Sequence, residues 1–114
     1  RLLAGFDLLA EWFAAPGFRG CPILNAIAEG PAAGEGPRRV AAAHKARLSP
    51  ILLSLAREAG LRDPQALVDV FLLLMDGAIV VAMASGSPTP AATARAAFAA
   101  VLQAAREKAP LPAA

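Results

Sequence analysis

From Leu2 to Ala15 the apolar positions Leu2, Phe6, Leu9 and Phe13 recur at helical spacing. Leu3 and Trp12 flank that stripe, and Asp7 and Glu11 lie four apart on the opposite face, so the stretch predicts an amphipathic helix. A short second segment starts near Cys21 and ends near Gly30. Pro22 suits its first helical position, where a missing N–H costs nothing. A third runs from about Pro37 to Ala59, and Gly60 suits its C-terminal stop. Pro50 lies inside it. Proline removes a backbone donor and crowds the preceding turn, which predicts a kink or break near Ser49.

A fourth segment begins with Asp63 as N-cap and Pro64 in the first turn, and runs to about Ser85. A fifth runs from Pro90 to about Lys108, with Thr89 as its cap. Its many alanines permit close helix approach, while Phe98, Val101 and Leu102 supply bulk. "GPAAGEGP" (Gly30 to Pro37), the Asp63-Pro64 pair, "SGSPTP" (Ser85 to Pro90) and a tail "PLPAA" punctuate the chain. No repeat at solenoid spacing is visible. The pattern predicts one all-α domain of about five helices, the last two forming an antiparallel hairpin.

The fourth segment is apolar on almost every face from Ala66 to Ala84, broken by Asp69, Asp76 and Gly77. Two carboxylates inside the span are expensive in lipid, which argues against a transmembrane helix. A helix apolar all round is otherwise central, covered by its own domain on one side and by something else on the other. Composition agrees. Hydrophobic residues make up 57% of 114 residues, and a chain this short buries only about two-thirds of its unfolded surface. The surplus is expected on a partner subunit.

Net charge is only +2, and Arg38, Arg39, Lys45 and Arg47 form no stripe of the kind phosphate binding needs. They read as a solvated helix face. One cysteine excludes an intrachain disulfide and fits a reducing cytoplasm. Metal-ligand spacing is absent, as is any nucleophile–base pair, so neither a cofactor nor an enzyme is expected. The chain opens at Arg1 without a methionine, inside an apolar-periodic stretch and with no signal peptide, which predicts a missing N-terminal portion.

Trp12, then Phe18-Arg19-Gly20-Cys21-Pro22-Ile23-Leu24-Asn25-Ala26, His44-Lys45, Ala59-Gly60-Leu61, Asp63-Pro64 and Asp76-Gly77-Ala78 follow one another in an order that resembles the C-terminal, effector-binding domain of TetR-family transcriptional regulators. The resemblance covers nearly all of residues 1–114. It implies a homodimer in which the last two helices of each subunit build a four-helix bundle. It also implies a pocket for a small apolar effector, whose binding shifts the separation of the DNA heads and releases operator DNA. The N-terminal helix-turn-helix that binds DNA in the family is absent from this chain, so operator contact is expected only through that missing domain. A free-standing helical dimerisation module without a ligand is the alternative.

Among candidate site residues, Trp12, Phe18, Phe71 and Met75 are large apolar groups expected as pocket wall. Asn25, inside an apolar run, and His44, the only histidine, are the expected polar handles. Structural hydrogen bonding by Asn25 is the competing reading. Cys21 at a helix N-terminus near Arg19 can be a thiol sensor, but a small apolar packing group is favoured because no resolving cysteine exists. Asp76 must reach water, a cation or a backbone donor. An ion pair between helices or subunits is favoured over a ligand-facing acid. The dimer contact is expected at Ala82, Ser85, Ala94, Ala97 and Val101.

Overall fold

Local signals decide where the helices start and stop. The computed structural model describes residues 2–30 and 34–107. Expectations for Arg1, for the middle of the loop after Gly30, and for Lys108 and the tail lie outside the described residues. Five helices follow in order: α1 (Ala4–Ala14), α2 (Pro22–Ala28), α3 (Gly36–Glu58), α4 (Pro64–Ser85) and α5 (Thr89–Glu107). No strand occurs among the described residues.

Pro22 takes the first turn of α2 with Cys21 as N-cap, and Pro64 does the same for α4 after Asp63. Asp63 is the N-cap of α4 as expected, whereas Thr89 lies inside α5 rather than before it. Asp63 sits in the left-handed region at φ 50° and its side chain caps no N–H; its carbonyl instead accepts a bond from the Leu67 N–H at 3.3 Å. Thr89 is the first residue of α5, and the hydroxyl of Ser87 accepts its N–H at 3.2 Å. Pro50 does not break α3, which runs on to Glu58. Pro50 is exposed, so the carbonyl it leaves unbonded can turn to water, while Leu52 and Ala56 anchor the following turns in the core.

The core is built where α1, α4 and α5 meet. Phe6, Phe71 and Phe98 form an aromatic triangle with centroid separations of 5.2, 5.3 and 5.8 Å. The Phe6–Phe71 and Phe71–Phe98 pairs are edge-on, and such pairs add about 0.5–1.5 kcal/mol each beyond area burial. Leu9 and Phe13 of α1, Leu52 and Ala56 of α3, and Leu61 extend this cluster. Arg95 of α5 pairs with Asp7 of α1 at 3.1 Å on the surface.

α4 divides its apolar residues between two sides. Leu67, Val68, Phe71, Ala78, Ile79 and Ala82 are buried in the core. Leu73, Val80 and Val81 are exposed, Leu73 by 72%. α4 is long and apolar enough to cross a membrane by length and composition; here it packs against α1, α3 and α5.

Candidate functional site

The corner "FRGCPILNA" answers to α4. Gly20 has φ +85°, and the position its Cβ would take lies 2.0 Å from the Met83 sulfur. Only glycine gives both that backbone conformation and that closeness. Asn25 holds the corner from the other side, its Nδ2 donating to the Arg19 carbonyl at 3.2 Å. The corner therefore places Cys21 and Leu24 against α4, beside α3.

Between these elements lies a cavity of about 240 Å³. Two helix stripes face each other across it: Ala41, His44, Lys45 and Leu48 from α3, and Leu72, Met75, Asp76 and Ile79 from α4. Both have spacing i, i+3, i+4, i+7, the interval that keeps residues on one helix face. Trp12, Cys21 and Leu24 complete the wall. Most of this lining is apolar, with Asp76, His44 and Lys45 as the charged or titratable groups beside the Cys21 thiol. Asp76 is half-buried, whereas His44 and Lys45 are exposed.

The structure brings together three of the six residues expected at a pocket: Trp12, His44 and Met75. The others stand elsewhere. Phe18 packs behind the wall, with ring centroids 5.0 Å from both Trp12 and Phe13. Asn25 is engaged at the corner by its bond to the Arg19 carbonyl. Phe71 is a core residue, only 4% exposed, because it belongs to the aromatic triangle. The interhelix ion pair favoured for Asp76 is not formed among the described residues; Asp76 lines the cavity.

A second apolar surface lies on the outer side of α4 and α5. Leu73, Gly77 and Val81 of α4 and Thr93 and Ala97 of α5 line an open depression without a charged side chain. Val70, Val101 and Ala104 prolong it toward Arg62 and Asp63. Of the residues expected at a dimer contact, Ser85 and Ala97 are exposed and line this depression, and Val101 is half-buried beside it. Ala82 is buried in the chain's own core and cannot serve. Ala94 is also core-packed and reaches the depression only at its floor.

No protein-family model, curated protein or solved structure matches this chain. The geometry alone therefore bears on function. Three to four apolar walls with a few polar groups suit reversible binding of a small apolar molecule. Among the described residues no cluster of His, Cys, Asp and Glu is placed to hold a metal.

Proposed function

We propose that the chain is the effector-binding, homodimerising domain of a TetR-type transcriptional repressor. The observation that carries this reading is the double role of α4. One side of the helix lines the cavity through Leu72, Met75, Asp76 and Ile79. The other presents Leu73, Gly77 and Val81 on the apolar outer surface shared with α5. A molecule in the cavity thus touches the same rigid element that would meet a second copy. In this reading α4 and α5 form an antiparallel hairpin, and two hairpins associate as a four-helix bundle. The small residues Gly77, Thr93 and Ala97 allow close helix approach there.

The mechanism is differential affinity. An effector that binds one spacing of the two copies better than another shifts the population toward it. If that spacing misplaces the DNA-binding segments, the operator is released. The coupling is reciprocal, so operator DNA weakens effector binding in the intact protein. The reading involves no catalytic step and places the protein in the cytoplasm.

Trp12 is the only tryptophan and lines the cavity. Titration with 4-phenyl-1-butanol is expected to change its fluorescence and to raise the melting temperature. Ala41→Phe, which fills the cavity from α3, is expected to abolish both effects. If the wild-type chain shows neither effect with this alcohol, nor with the amine and the carboxylate of the same phenyl-butyl body, the effector reading fails. The alternative, a dimerisation module without a ligand, would then lead. One observation favours that alternative: about 240 Å³ is below the roughly 300–1,000 Å³ typical of ligand pockets.

A further inference from the structure

We propose that the cavity selects an apolar amine: a small hydrocarbon body bearing one protonated nitrogen, with the nitrogen at Asp76 and the body along Trp12, Leu72 and Ile79. The inference rests on the reading of this cavity as an effector site and names the effector's chemical class.

The carboxylate decides it. Asp76 lies on a helix whose neighbouring wall residues, Leu72, Met75 and Ile79, are apolar. Its side chain makes no hydrogen bond or ion pair among the described residues. A neutral hydrocarbon filling the cavity would strip water from this half-buried carboxylate and give nothing back. An anion would add repulsion. A protonated amine supplies both charge and N–H donors, and charge-assisted hydrogen bonds are the stronger kind. Trp12 lines the same cavity and offers the hydrocarbon body an aromatic surface to pack on.

His44 and Lys45 also face the cavity and oppose an incoming cation. They differ from Asp76 in exposure. Both are exposed, so an occupant leaves their hydration largely intact, and screening weakens their repulsion. Lys45 sets a limit on amine affinity, and its removal should raise that affinity.

The test compares three probes with the same phenyl-butyl body: 4-phenylbutylamine, 4-phenyl-1-butanol and 4-phenylbutanoate. Trp12 fluorescence reports affinity. Cys21, the only cysteine, lines the cavity, so slowing of its reaction with a thiol reagent locates the bound probe. The amine is expected to bind about ten-fold tighter than the alcohol, the tenfold corresponding to about 1.4 kcal/mol, and the butanoate weakest. Asp76→Asn should weaken amine binding and bring amine and alcohol within about two-fold of each other. Lys45→Met should strengthen amine binding.

Equal amine and alcohol affinities in the wild-type chain, or tightest binding of the butanoate, overturn the amine proposal and leave the effector reading standing. An amine preference that survives Asp76→Asn likewise overturns it. Failure of all three probes to alter Trp12 or protect Cys21 overturns both. The wild-type comparison needs no variant, so it holds even where Asp76→Asn impairs folding.

Discussion

Replacing Gly20 by alanine tests the corner that closes the cavity, and the same loop supplies its control. Gly17 and Gly20 have nearly equal backbone angles, φ +80° and +85°. A non-glycine residue held in the left-handed region costs about 1–2 kcal/mol, partly offset by about 0.4–1 kcal/mol from a stiffer unfolded chain. Gly17→Ala therefore loses about 1 kcal/mol, because nothing lies within 4 Å of its Cβ position. At Gly20 the new methyl would meet the Met83 sulfur at 2.0 Å, its Cγ at 2.4 Å and its Cε at 2.8 Å. Contact that close reaches along the Met83 side chain, so the whole side chain must move or the corner must lift. Overpacking of this kind adds about 1–3 kcal/mol.

Gly20→Ala is thus expected to cost about 2–4 kcal/mol in all, a large share of the ~5–15 kcal/mol that holds a small domain. Urea unfolding followed by far-ultraviolet circular dichroism measures both variants. With a slope near 1–2 kcal/mol/M, the Gly20→Ala midpoint should fall by about 1.5–3 M more than that of Gly17→Ala when the clash is at its upper end. In a Met83→Ala background the difference between the two glycine variants should shrink to under about 0.5 kcal/mol. Equal losses at Gly17 and Gly20 in the wild-type background would refute the reasoning, since the corner would then not be seated on α4.

Three further outcomes follow from the packing. Phe98→Ala, at a site with 0% exposure between Phe6 and Phe71, should cost about 3–5 kcal/mol by chemical denaturation. Pro50→Ala should stabilise the chain by about 1–3 kcal/mol and raise its melting temperature, because it restores a donor inside α3 at an exposed position. Arg95→Ala should change stability by less than about 1 kcal/mol, since its ion pair with Asp7 is largely solvent-exposed.

Helix boundaries were legible in the sequence because their causes are local. Pro22, Pro64, Gly60 and the "SGSP" turn act within a few residues of themselves. The break that Pro50 allowed does not occur because the forces that carry α3 through it are tertiary: Leu52 and Ala56 are held in the core on its far side. Asp63 was legible as the N-cap of α4 and Thr89 fell one residue inside α5, but which atom bonds which depends on side-chain geometry that composition does not fix.

The site was only half legible for a different reason. α4 is apolar on both sides, so its pattern announces a helix without saying which stripe faces the core. Phe71 and Ala82 went to the core, Met75 to the cavity and Leu73 to the outside, and the difference between them is rotation about one axis. A stronger signal was present in the matched stripes Ala41–His44–Lys45–Leu48 and Leu72–Met75–Asp76–Ile79. Reading them as partners requires knowing that α3 crosses α4 at that height. Asn25 stood out as an amide inside an apolar run in need of a partner, but the partner, the Arg19 carbonyl, appears only once Gly20 turns the chain back.

The most direct test of the central claim, that the outer face of α4 and α5 joins two copies beside an effector cavity, is the mass of the chain in solution by multi-angle light scattering. The wild-type chain is expected at twice the mass of one copy at micromolar concentration. Ala97→Glu, which sets a charge on the exposed apolar surface, is expected at the mass of one copy with its helical content retained. A wild-type chain that runs as a single copy, or an Ala97→Glu variant that remains a stable dimer, would contradict the claim.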